Sequence, residues 1–539
     1  MNENYLRLFQ LGLPAQIREI PLDELLRYIH NHLNSFLIDT SGGACLIDRL
    51  SADPAINHSP EAQKMLLYLM DKILQLCPLK PGFLESTFQL TGNPMIENRL
   101  KLVQSTNESA ETYTLIENLK QDESEEVLGY LSQLLSAHPN HVPAAQHALY
   151  IGQLLGREPG EWIHQFKPPL PLKQEWDILL FNHYAFLGSM DKAWSLWHKL
   201  RPAQLRESSL NMAAEMFVFK GEIDQAVALY EQSLAMDPLQ GPLQSRVREL
   251  RSPFQPDHSL LASCRVNICL YSWNKASLLR QTLESLSQSD IGPARIDILL
   301  NGCTDYSRDV VEEARAWFPE NEIILHDLHV NIGAPAARNW LLGLPEIRQS
   351  EYVAFLDDDV TVQKDWLSQF LTVAERDASI AVVGCKIVHP GTPAMLQYLY
   401  RHVAVADHGL LLMSNDTPFK HYDIGTYAFI RETRNVMGCQ HLLRTKALRD
   451  APHGFDIRFS PSQIDDIDHD LAMCLAGHKV MYCGTVTCVH HQSSGTNVIS
   501  RPTDNRAFSN ALGNDIKFFF KHSEHLDALR QLDCLSLEL

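Results

Sequence analysis

The sequence lacks the features that mark several common classes of protein. Its 539 residues contain 46 lysines and arginines against 65 aspartates and glutamates, which gives a net charge of −19. Because nucleic acids and anionic membrane surfaces attract basic proteins, this balance argues against a general affinity for either, and no nucleic-acid partner is expected. No stretch approaches the ~20 uninterrupted apolar residues of a membrane helix, so no integral membrane segment is expected.

Paired cysteines and a leader segment are also missing. The eleven cysteines are scattered, odd in number and contain no CxxC pair. This pattern favours free thiols in a reducing compartment over a disulfide framework. The first residues, from Met1 to Tyr5, show no basic segment followed by an apolar one, so no signal peptide is expected. The predicted location is the cytoplasm.

Hydrophobic residues make up 45% of the chain, enough for real cores, and the length predicts two to four domains. Residues 1–110 show helical periodicity, for example over Pro21–Ile29 and Glu61–Leu76, where leucines and isoleucines recur on one face. No catalytic constellation is visible there. We predict an N-terminal helical region at residues 1–110.

Residues 111–250 contain an internal repeat. Gly188 and Gly221 lie 33 residues apart, as do Ala193 and Ala226, and a proline follows each second helix. Glycine at the turn and alanine at the helix contact, with a period near 34, resemble a tetratricopeptide repeat. Stacks of such repeats form concave surfaces that bind peptides or partner proteins. The alternative is a helical scaffold that only packs on its neighbour.

Strands and helices alternate after a proline-containing linker at residues 251–262. The pattern predicts strands at 265–271, 295–300 and 322–326, with helices at 278–286 and 309–317 between them. Such alternation implies a mostly parallel sheet, whose ligands bind at the carboxyl ends of the strands. We place this α/β domain at residues 263–500, followed by a C-terminal lid and helix at 501–539.

Three adjacent acids end one of the predicted strands. The apolar run Tyr352–Leu356 leads directly into Asp357, Asp358 and Asp359. Adjacent carboxylates repel one another unless a cation neutralises them, and oxygen ligands suit Mg²⁺ or Mn²⁺. A cation there would clamp a diphosphate. The residues alone leave a second reading open, a polar turn that closes the strand.

Four sequence blocks in a fixed order resemble the family 2 glycosyltransferases of the GT-A fold, and the resemblance spans Arg265 to His491. The blocks are Tyr271–Lys275, Asn301–Asp305, Asn331–Asn339 and the acidic triplet. Each block alone is weakly specific, whereas the ordered set is a strong signal.

The resemblance implies a transferase that moves a sugar from a nucleotide-sugar donor with inversion. It implies that Asp359 binds a divalent cation, Mn²⁺ or Mg²⁺, and that Asp357 contacts the ribose or reaches the metal through water. Chemically, a cation there would stabilise the departing nucleoside diphosphate. The residues expected to bind the donor are Tyr271, Ser272, Asn274, Asn301, Arg338, Asp357 and Asp358.

The second half of the domain supplies a candidate base. Gly454–Phe459 followed by Asp465–Leu471 resembles the family block in which a carboxylate deprotonates the acceptor. Asp466 is favoured as this catalytic base, and Asp465, which replaces the usual glutamate, is the alternative. The alternative is a structural role, in which these aspartates begin a helix and interact favourably with the positive end of its dipole.

Two histidines end the last predicted strand. In proteins of this fold a histidine near the end of the catalytic domain often completes the metal site, and imidazole is an acceptable ligand for Mn²⁺. His490 or His491 is therefore the further expected metal ligand, with His490 favoured. The small and polar residues from Ser493 to Pro502 predict a lid over the donor.

One departure from the family pattern bears on the donor. At the position of Leu300 the family often has an acid that recognises the nucleobase, so uridine recognition does not follow from the resemblance.

From these patterns we predict a GT-A catalytic domain (α/β, Rossmann-like, mostly parallel sheet) preceded by an all-α, tetratricopeptide-like region. Its acceptor would be a glycan or a protein, and the repeats are a candidate surface for holding it. The alternative is a catalytically inactive binding scaffold.

Overall fold

The computed structural model describes residues 17, 20–106, 125–201, 205–405, 411–414, 422–449, 454–491 and 505–534. The described residues before 252 are mostly helical, and a mixed sheet flanked by helices follows. Within these ranges, no helix has both the length and the apolar character that crossing a membrane requires.

The helical region contains thirteen described helices. In chain order they are α1 Leu22–Ser35, α2 Thr40–Ser51, α3 Pro60–Leu76, α4 Pro81–Thr91, α5 Pro94–Ser105, α6 Glu125–Ala137, α7 Val142–Leu154, α8 Trp162–Gln165, α9 Lys173–Phe186, α10 Met190–Trp197, α11 Glu207–Phe219, α12 Ile223–Met236 and α13 Gly241–Arg251.

Helix α3 shows how the sequence sets these elements. The hydroxyl of Ser59 accepts a hydrogen bond from the amide of Ala62 at 3.2 Å, and Pro60 occupies the first helical turn. Its buried face includes Met65 and Leu69, at helical spacing. The predicted helices at Pro21–Ile29 and Glu61–Leu76 are both confirmed, the first continuing to Ser35.

The internal repeat corresponds to two helix pairs, α9–α10 and α11–α12. Gly188 and Gly221 occupy the two turns with φ of 71° and 78°, a conformation that glycine adopts without strain. Ala193 and Ala226 are both completely buried in their helices. The repeat is therefore a structural one, while its assignment as a tetratricopeptide repeat stays a prediction.

The second half of the chain contains twelve described strands. They are β1 Val266–Ser272, β2 Arg295–Asn301, β3 Ile323–Leu328, β4 Tyr352–Leu356, β5 Val360–Thr361, β6 Ile380–His389, β7 Met395–Tyr398, β8 His402–Val405, β9 Leu411–Ser414, β10 Ile430–Thr433, β11 Gln440–Arg444 and β12 Lys479–His490.

The helices around these strands are also defined. They are α14 Leu260–Ser263, α15 Ala276–Ser287, α16 Ser307–Ala314, α17 Ala334–Leu342, α18 Pro345–Gln349, α19 Trp366–Glu375, α20 Asp465–Leu475, α21 Asn505–His522 and α22 Leu526–Cys534. The predicted lid at residues 493–502 falls outside the described residues.

Ten of the strands form one sheet, in the order β10-β12-β6-β11-β4-β1-β2-β3 with β5 and β7 at its side. The pairs among β3, β2, β1 and β4 are parallel, as the alternation of strands and helices predicts. Beyond β4 the strand β11 inserts antiparallel, so the described sheet has four parallel and five antiparallel pairings. It is therefore mixed rather than mostly parallel.

The helical region shares a core with the sheet domain. The ring of Phe36, just after α1, stacks on Tyr400 at 5.0 Å and is completely buried in the core on one face of the sheet. The amide of Leu37 donates to the hydroxyl of Tyr427 at 3.0 Å. Farther along, Arg246 donates to the carbonyl of Ala428 at 2.9 Å. The two regions are thus joined by side chains as well as by the connecting chain.

The predicted linker is packed against the sheet domain. Phe254 lies beneath the guanidinium of Arg376, 4.7 Å from its ring centroid, and the amide of Asp257 donates to the hydroxyl of Thr372 at 2.8 Å. Helix α14 follows within the same segment and contacts α19. These contacts fix the path of the chain between the two regions.

Candidate functional site

The acidic triplet lies at the carboxyl end of β4, beside the end of β1. Leu270 of β1 is in register with Leu356, the last residue of β4, and β1 continues for two more residues beside the triplet. Tyr271 and Ser272 are therefore neighbours of the triplet. Both hydroxyls donate to carboxylates of the triplet. The Tyr271 hydroxyl donates to Asp357 Oδ1 at 3.1 Å, and the Ser272 hydroxyl donates to Asp358 Oδ2 at 2.6 Å.

Asp357, Asp359 and His490 form a group that could hold a metal ion. One ligand atom from each of the three lies within 4.8 Å of the other two. The pairing of β12 with β5 causes this proximity, because it places His490 opposite Val360, the residue after the triplet. The structure thus brings together Asp357, Asp359 and His490, three of the four residues that the sequence predicts as metal ligands.

The imidazole of His490 is oriented by Gln397 on β7. Nδ1 of His490 lies 3.1 Å from Oε1 of Gln397, to which it donates. Nε2, on the other side of the ring, lies 3.1 Å from Oδ1 of Asp359. A neutral imidazole that donates through Nδ1 offers only a lone pair at Nε2, as a metal ligand must.

His491 points elsewhere. Its Nε2 lies 2.8 Å from the hydroxyl of Thr361 and 3.2 Å from the amide nitrogen of Gln281. Only its backbone amide reaches the triplet, by donating to the carbonyl of Asp359 at 2.8 Å. The structure therefore does not bring the His491 side chain into the group that contains His490.

Lys275 is a site residue that the sequence analysis did not single out. Its ammonium lies 2.8 Å from Oδ2 of Asp359 and 3.2 Å from Oδ1 of Asp358. Burial alone would raise the pKa of the Asp359 carboxyl, but His490 and Lys275 together hold that pKa well below its usual range. Asp359 is thus kept ionised in a position where it is 2% exposed.

Asp358 points away from the cation group. Its Oδ2 accepts a hydrogen bond from the Ser272 hydroxyl at 2.6 Å, and its other oxygen faces Lys275. Burial raises the pKa of Asp358 to about 6, although Lys275 opposes that shift. These contacts hold the end of β4 against β1, so the structure gives Asp358 a positioning role between the two strands.

Arg338 connects the triplet to the candidate bases. It is 4% exposed, and its Nη1 donates to Asp465 Oδ2 at 2.6 Å while Nη2 lies 3.5 Å from Asp357 Oδ1. Its guanidinium lies over the rings of Tyr271 and Phe455, at 5.4 Å and 5.1 Å from their centroids. The sequence predicted a nucleotide contact for Arg338, whereas the structure places it in contact with both carboxylate clusters.

Asp465 and Asp466 begin helix α20 and differ in access. Asp465 is 3% exposed; burial raises its pKa to about 6, although the adjacent Arg338 lowers it. Asp466 is half-buried, and its Oδ2 accepts a hydrogen bond from the amide of Gly438 at 2.9 Å. Of the two predicted bases, Asp466 is therefore the one that an acceptor could reach.

Two other predicted donor-binding residues stabilise loops. Oδ1 of Asn301 accepts from the amide of Ile332 at 2.9 Å, and its Nδ2 donates to Asn331 at 3.0 Å. Oδ1 of Asn274, which has a left-handed φ of 53°, accepts from the amide of Thr304 at 2.7 Å. These side chains fix the loops at the carboxyl edge of the sheet, and donor contact by either stays a prediction.

The group around Asp359 fits a divalent cation. Oδ1 of Asp359 is buried and forms no hydrogen bond of acceptable geometry with any described residue. It faces Nε2 of His490 at 3.1 Å, and either a proton on the imidazole or a bound metal ion can supply the positive charge between the two atoms. Two carboxylates and one imidazole are a donor set that Mn²⁺ accepts. A cation bound between these atoms would reduce the electrostatic repulsion between the carboxylates of Asp357 and Asp359.

The comparison with protein families identifies the central part of the chain. Residues 267–448 match the family described as Glycosyl transferase family 2. The match includes the acidic triplet and ends before Asp465, Asp466 and His490. Over 132 residues the chain is 32% identical to the succinoglycan biosynthesis protein ExoM of Rhizobium meliloti (strain 1021). The aligned segment covers 24% of this chain and 40% of ExoM.

Solved structures with a similar fold include two complexes with Mn²⁺. The mannosyltransferase PcManGT from Pyrobaculum calidifontis, with GDP-Man and Mn²⁺, is 17% identical over 58% of this chain and 82% of its own, with a TM-score of 0.36. GalNAc-T7, with UDP, GalNAc and Mn²⁺, is 13% identical over 42% of this chain and 44% of its own, with a TM-score of 0.35.

Proposed function

We propose that this chain, whose residues 267–448 form a glycosyl transferase family 2 domain, is a metal-dependent glycosyltransferase that uses a nucleotide-sugar donor and inverts the anomeric centre. The observation that carries the proposal is the convergence of Asp357, Asp359 and His490 at one edge of the sheet, joined through Arg338 to Asp465. This arrangement supplies a cation site next to a carboxylate pair.

Asp357, Asp359 and His490 would hold the divalent cation, Mn²⁺ or Mg²⁺. When bound, the cation would offset the negative charge that develops on the nucleoside diphosphate leaving group. Lys275 keeps Asp359 ionised and in place, and Gln397 fixes the ring of His490. The remaining donor contacts would come from the loops that Asn274 and Asn301 hold.

Asp466 would act as the general base. Its side chain is half-buried rather than fully buried, and it would accept the proton of the acceptor as that group attacks the anomeric carbon. Asp465 is withdrawn from solvent and bonded to Arg338, so its role would be to fix the start of α20 and with it the position of Asp466. One displacement on the side opposite the leaving group gives inversion.

The acceptor would be a glycan or a protein. Support for participation of the helical region comes from its tight junction with the sheet domain, which holds both in one orientation. The cysteines of the described residues are free thiols, which supports a cytoplasmic location.

A donor-hydrolysis and transfer assay with a panel of uridine, guanosine and thymidine diphosphate sugars tests this function. We expect Mn²⁺-dependent turnover of one donor, and a loss of roughly 100-fold or more in Asp359→Asn and Asp466→Asn. Donor binding should survive in Asp466→Asn. Asp527→Asn, at a side chain that is 95% exposed, is the matched control. A fully active Asp359→Asn protein would refute the cation site, and donor binding without turnover would support the inactive scaffold.

A further inference from the structure

Two residues in a strained backbone conformation stand directly before the candidate base. Gln463 and Ile464 have φ of 78° and 72°, in the left-handed region. Ile464 is β-branched, and such a residue rarely adopts this conformation because its side chain crowds the backbone. Asp465 and Asp466 follow at once and begin α20. The position of the base therefore depends on a turn that its own sequence does not favour.

The start of α20 does little to hold this turn. Ile464 occupies the N-cap position, where its apolar side chain offers no acceptor to the helical amides. The helix contributes the bond from the amide of Asp468 to the carbonyl of Ile464, at 2.8 Å. Strained conformations persist only where surrounding contacts impose them, so other parts of the chain must impose this one.

Asn514 of helix α21 supplies such contacts. Its Nδ2 donates to the carbonyls of Phe459 and Ser462, each at 3.0 Å, and to the carbonyl of Gln463 at 3.1 Å. An amide nitrogen carries two protons, so the three carbonyls share two donors. Asn514 is 0% exposed, and these bonds are therefore formed away from solvent. One buried side chain thus gathers the backbone of the turn around itself.

Lys517, one helical turn farther along α21, orients this amide. Its ammonium donates to Oδ1 of Asn514 at 3.0 Å and to the carbonyl of Arg458 at 2.7 Å. An ammonium can only donate, so the atom that it contacts is the amide oxygen. The nitrogen of Asn514 consequently faces the carbonyls of the turn.

Helix α21 also binds the first turn of α20. The ammonium of Lys521 lies 2.6 Å from Oδ2 of Asp468 and 2.9 Å from Oδ2 of Asp456. Nε2 of His522 lies 2.9 Å from Oδ1 of Asp468, which is 1% exposed. Asn514 therefore holds the chain before the base, while Lys521 and His522 hold the helix after it.

The contacts of Asn514 go beyond what packing of α21 requires. Phe518 of α21 already belongs to the same buried apolar cluster as Ile467 of α20. The amide of Ala334, at the start of α17, adds a bond to the carbonyl of Pro461 at 2.8 Å. The bonds of Asn514 converge instead on the carbonyls that immediately precede the base, which suits a role in setting its position.

We propose that Asn514 is a positioning residue for the transfer reaction, which holds the strained turn at Gln463 and Ile464 and thereby places the carboxylate of Asp466. The inference rests on the proposed function, in which Asp466 is the general base. Asn514 acts through the backbone of the turn and not on the reacting atoms. Helix α21 lies outside the matched residues 267–448, so the family match does not include this device.

Steady-state kinetics and hydrogen exchange on the full chain test the proposal. Asn514→Leu should lower kcat roughly 10–100-fold and change the donor KM by less than about threefold, because a displaced base slows the chemical step and leaves the donor site intact. Amide exchange should accelerate across residues 463–469 and stay unchanged in β4. Gln531→Leu, an amide replaced at an exposed position of α22, is the matched control and should alter neither kcat nor exchange.

A second substitution separates positioning from folding. Glycine adopts positive φ without strain, so Gln463→Gly lets the turn form with less help from Asn514. We expect the double variant Asn514→Leu/Gln463→Gly to recover kcat severalfold over Asn514→Leu alone. Circular dichroism checks that each protein is folded, and Asn514→Ser replaces Asn514→Leu if the latter is not.

Unchanged kcat in a folded Asn514 variant would overturn the proposal, as would a loss of Mn²⁺ affinity in calorimetry as large as the loss of kcat, since that would mark a general disruption. A parent protein that transfers sugar from no donor would refute the proposed function instead. Exchange across residues 463–469 would then decide by itself whether Asn514 holds the turn, and equal rates in parent and variant would show that it does not.

Discussion

Nε2 of His490 lies 3.1 Å from Oδ1 of Asp359, at the junction of strands β12 and β5. His491, the next residue, directs its ring toward Thr361 instead. Because neighbouring residues of a strand point to opposite faces, only one of the two histidines can serve a site on one face. This relationship separates two residues that the sequence left as alternatives.

The histidine pair provides the first prediction. His490→Ala should weaken Mn²⁺ binding by more than the roughly 10–100-fold typical of residues that only orient a ligand, since it removes a direct ligand. His491→Ala should change the affinity severalfold at most. Isothermal titration with MnCl₂ measures both. Equal losses in the two variants would contradict the assignment.

The second prediction concerns Gln397. Replacement by leucine removes the acceptor that holds Nδ1 of His490, so we expect Mn²⁺ affinity to fall roughly 10–100-fold while the fold persists. Gln281→Leu is the matched control, because Gln281 contacts His491 rather than His490. Mn²⁺ titration followed by electron paramagnetic resonance reports the free ion directly. A larger effect in the control would argue against a role for Gln397.

The third prediction separates two roles of Arg338. Arg338→Lys keeps the charge but loses the planar fork that spans Asp465 and Asp357. If Arg338 positions α20, kcat should fall roughly 10–100-fold with little change in the donor KM. If it binds the nucleotide, as the family pattern implies, the donor KM should rise instead. Steady-state kinetics with the identified donor distinguishes the two outcomes.

The fourth prediction uses the pH dependence of stability. Burial raises the pKa of Asp465 to about 6 in the folded protein, above its ordinary value of 3.8. Between these two pH values the Asp465 carboxyl is mostly protonated in the folded state and mostly ionised in the unfolded state. Its contribution to the free energy of unfolding is therefore fully present at low pH and is lost as the pH rises through 6.

Asp465→Asn removes this titration. The difference in unfolding free energy between variant and parent should therefore shift in favour of the variant by about 1–3 kcal/mol from pH 4 to pH 7. Urea unfolding across this range measures the shift. A difference that is constant with pH, or that changes in the opposite direction, would contradict the raised pKa.

The fifth prediction concerns the junction of the two regions. Arg246 binds Glu215 through two contacts, at 2.8 Å and 3.0 Å, and both side chains are buried. Arg246→Met leaves a buried carboxylate unpaired and should cost about 3–5 kcal/mol in urea unfolding. Arg251→Met, in an exposed pair with Glu231, should cost less than about 1 kcal/mol. Similar losses in both variants would refute the role of burial.

The sequence predicted the acidic triplet and a histidine partner because each follows a recognisable strand in the family order. It could not predict Gln397, since an uncharged residue on a short strand carries no signal of the histidine it contacts. Lys275 ends the Tyr271–Lys275 block, yet its charge pairing with Asp359 depends on how β1 and β4 align. The local sequence pattern thus predicts which residue types stand at the strand ends. The pairing of the strands, which the local pattern does not encode, determines which side chains those residues contact.

The same limit applies to the fold. Alternating strands and helices predicted the parallel half of the sheet, whose neighbours are close in sequence. The antiparallel insertion of β11 between β4 and β6 joins segments far apart in the chain, and no local periodicity encodes it. Likewise, the sequence places apolar Phe36 in a separate helical region, and only its contact with Tyr400 shows that it packs in the core of the sheet domain.

That contact bears on how the protein could have evolved. A domain that moves between genes by recombination is expected to carry its own core, and here a completely buried ring in the core of the sheet domain comes from just after the first described helix. The matched segment, residues 267–448, therefore shares its core with a residue that lies outside it. We expect relatives with this junction to inherit the helical region and the sheet domain together, and a transplant of the segment alone to leave an unfilled cavity where Phe36 packs.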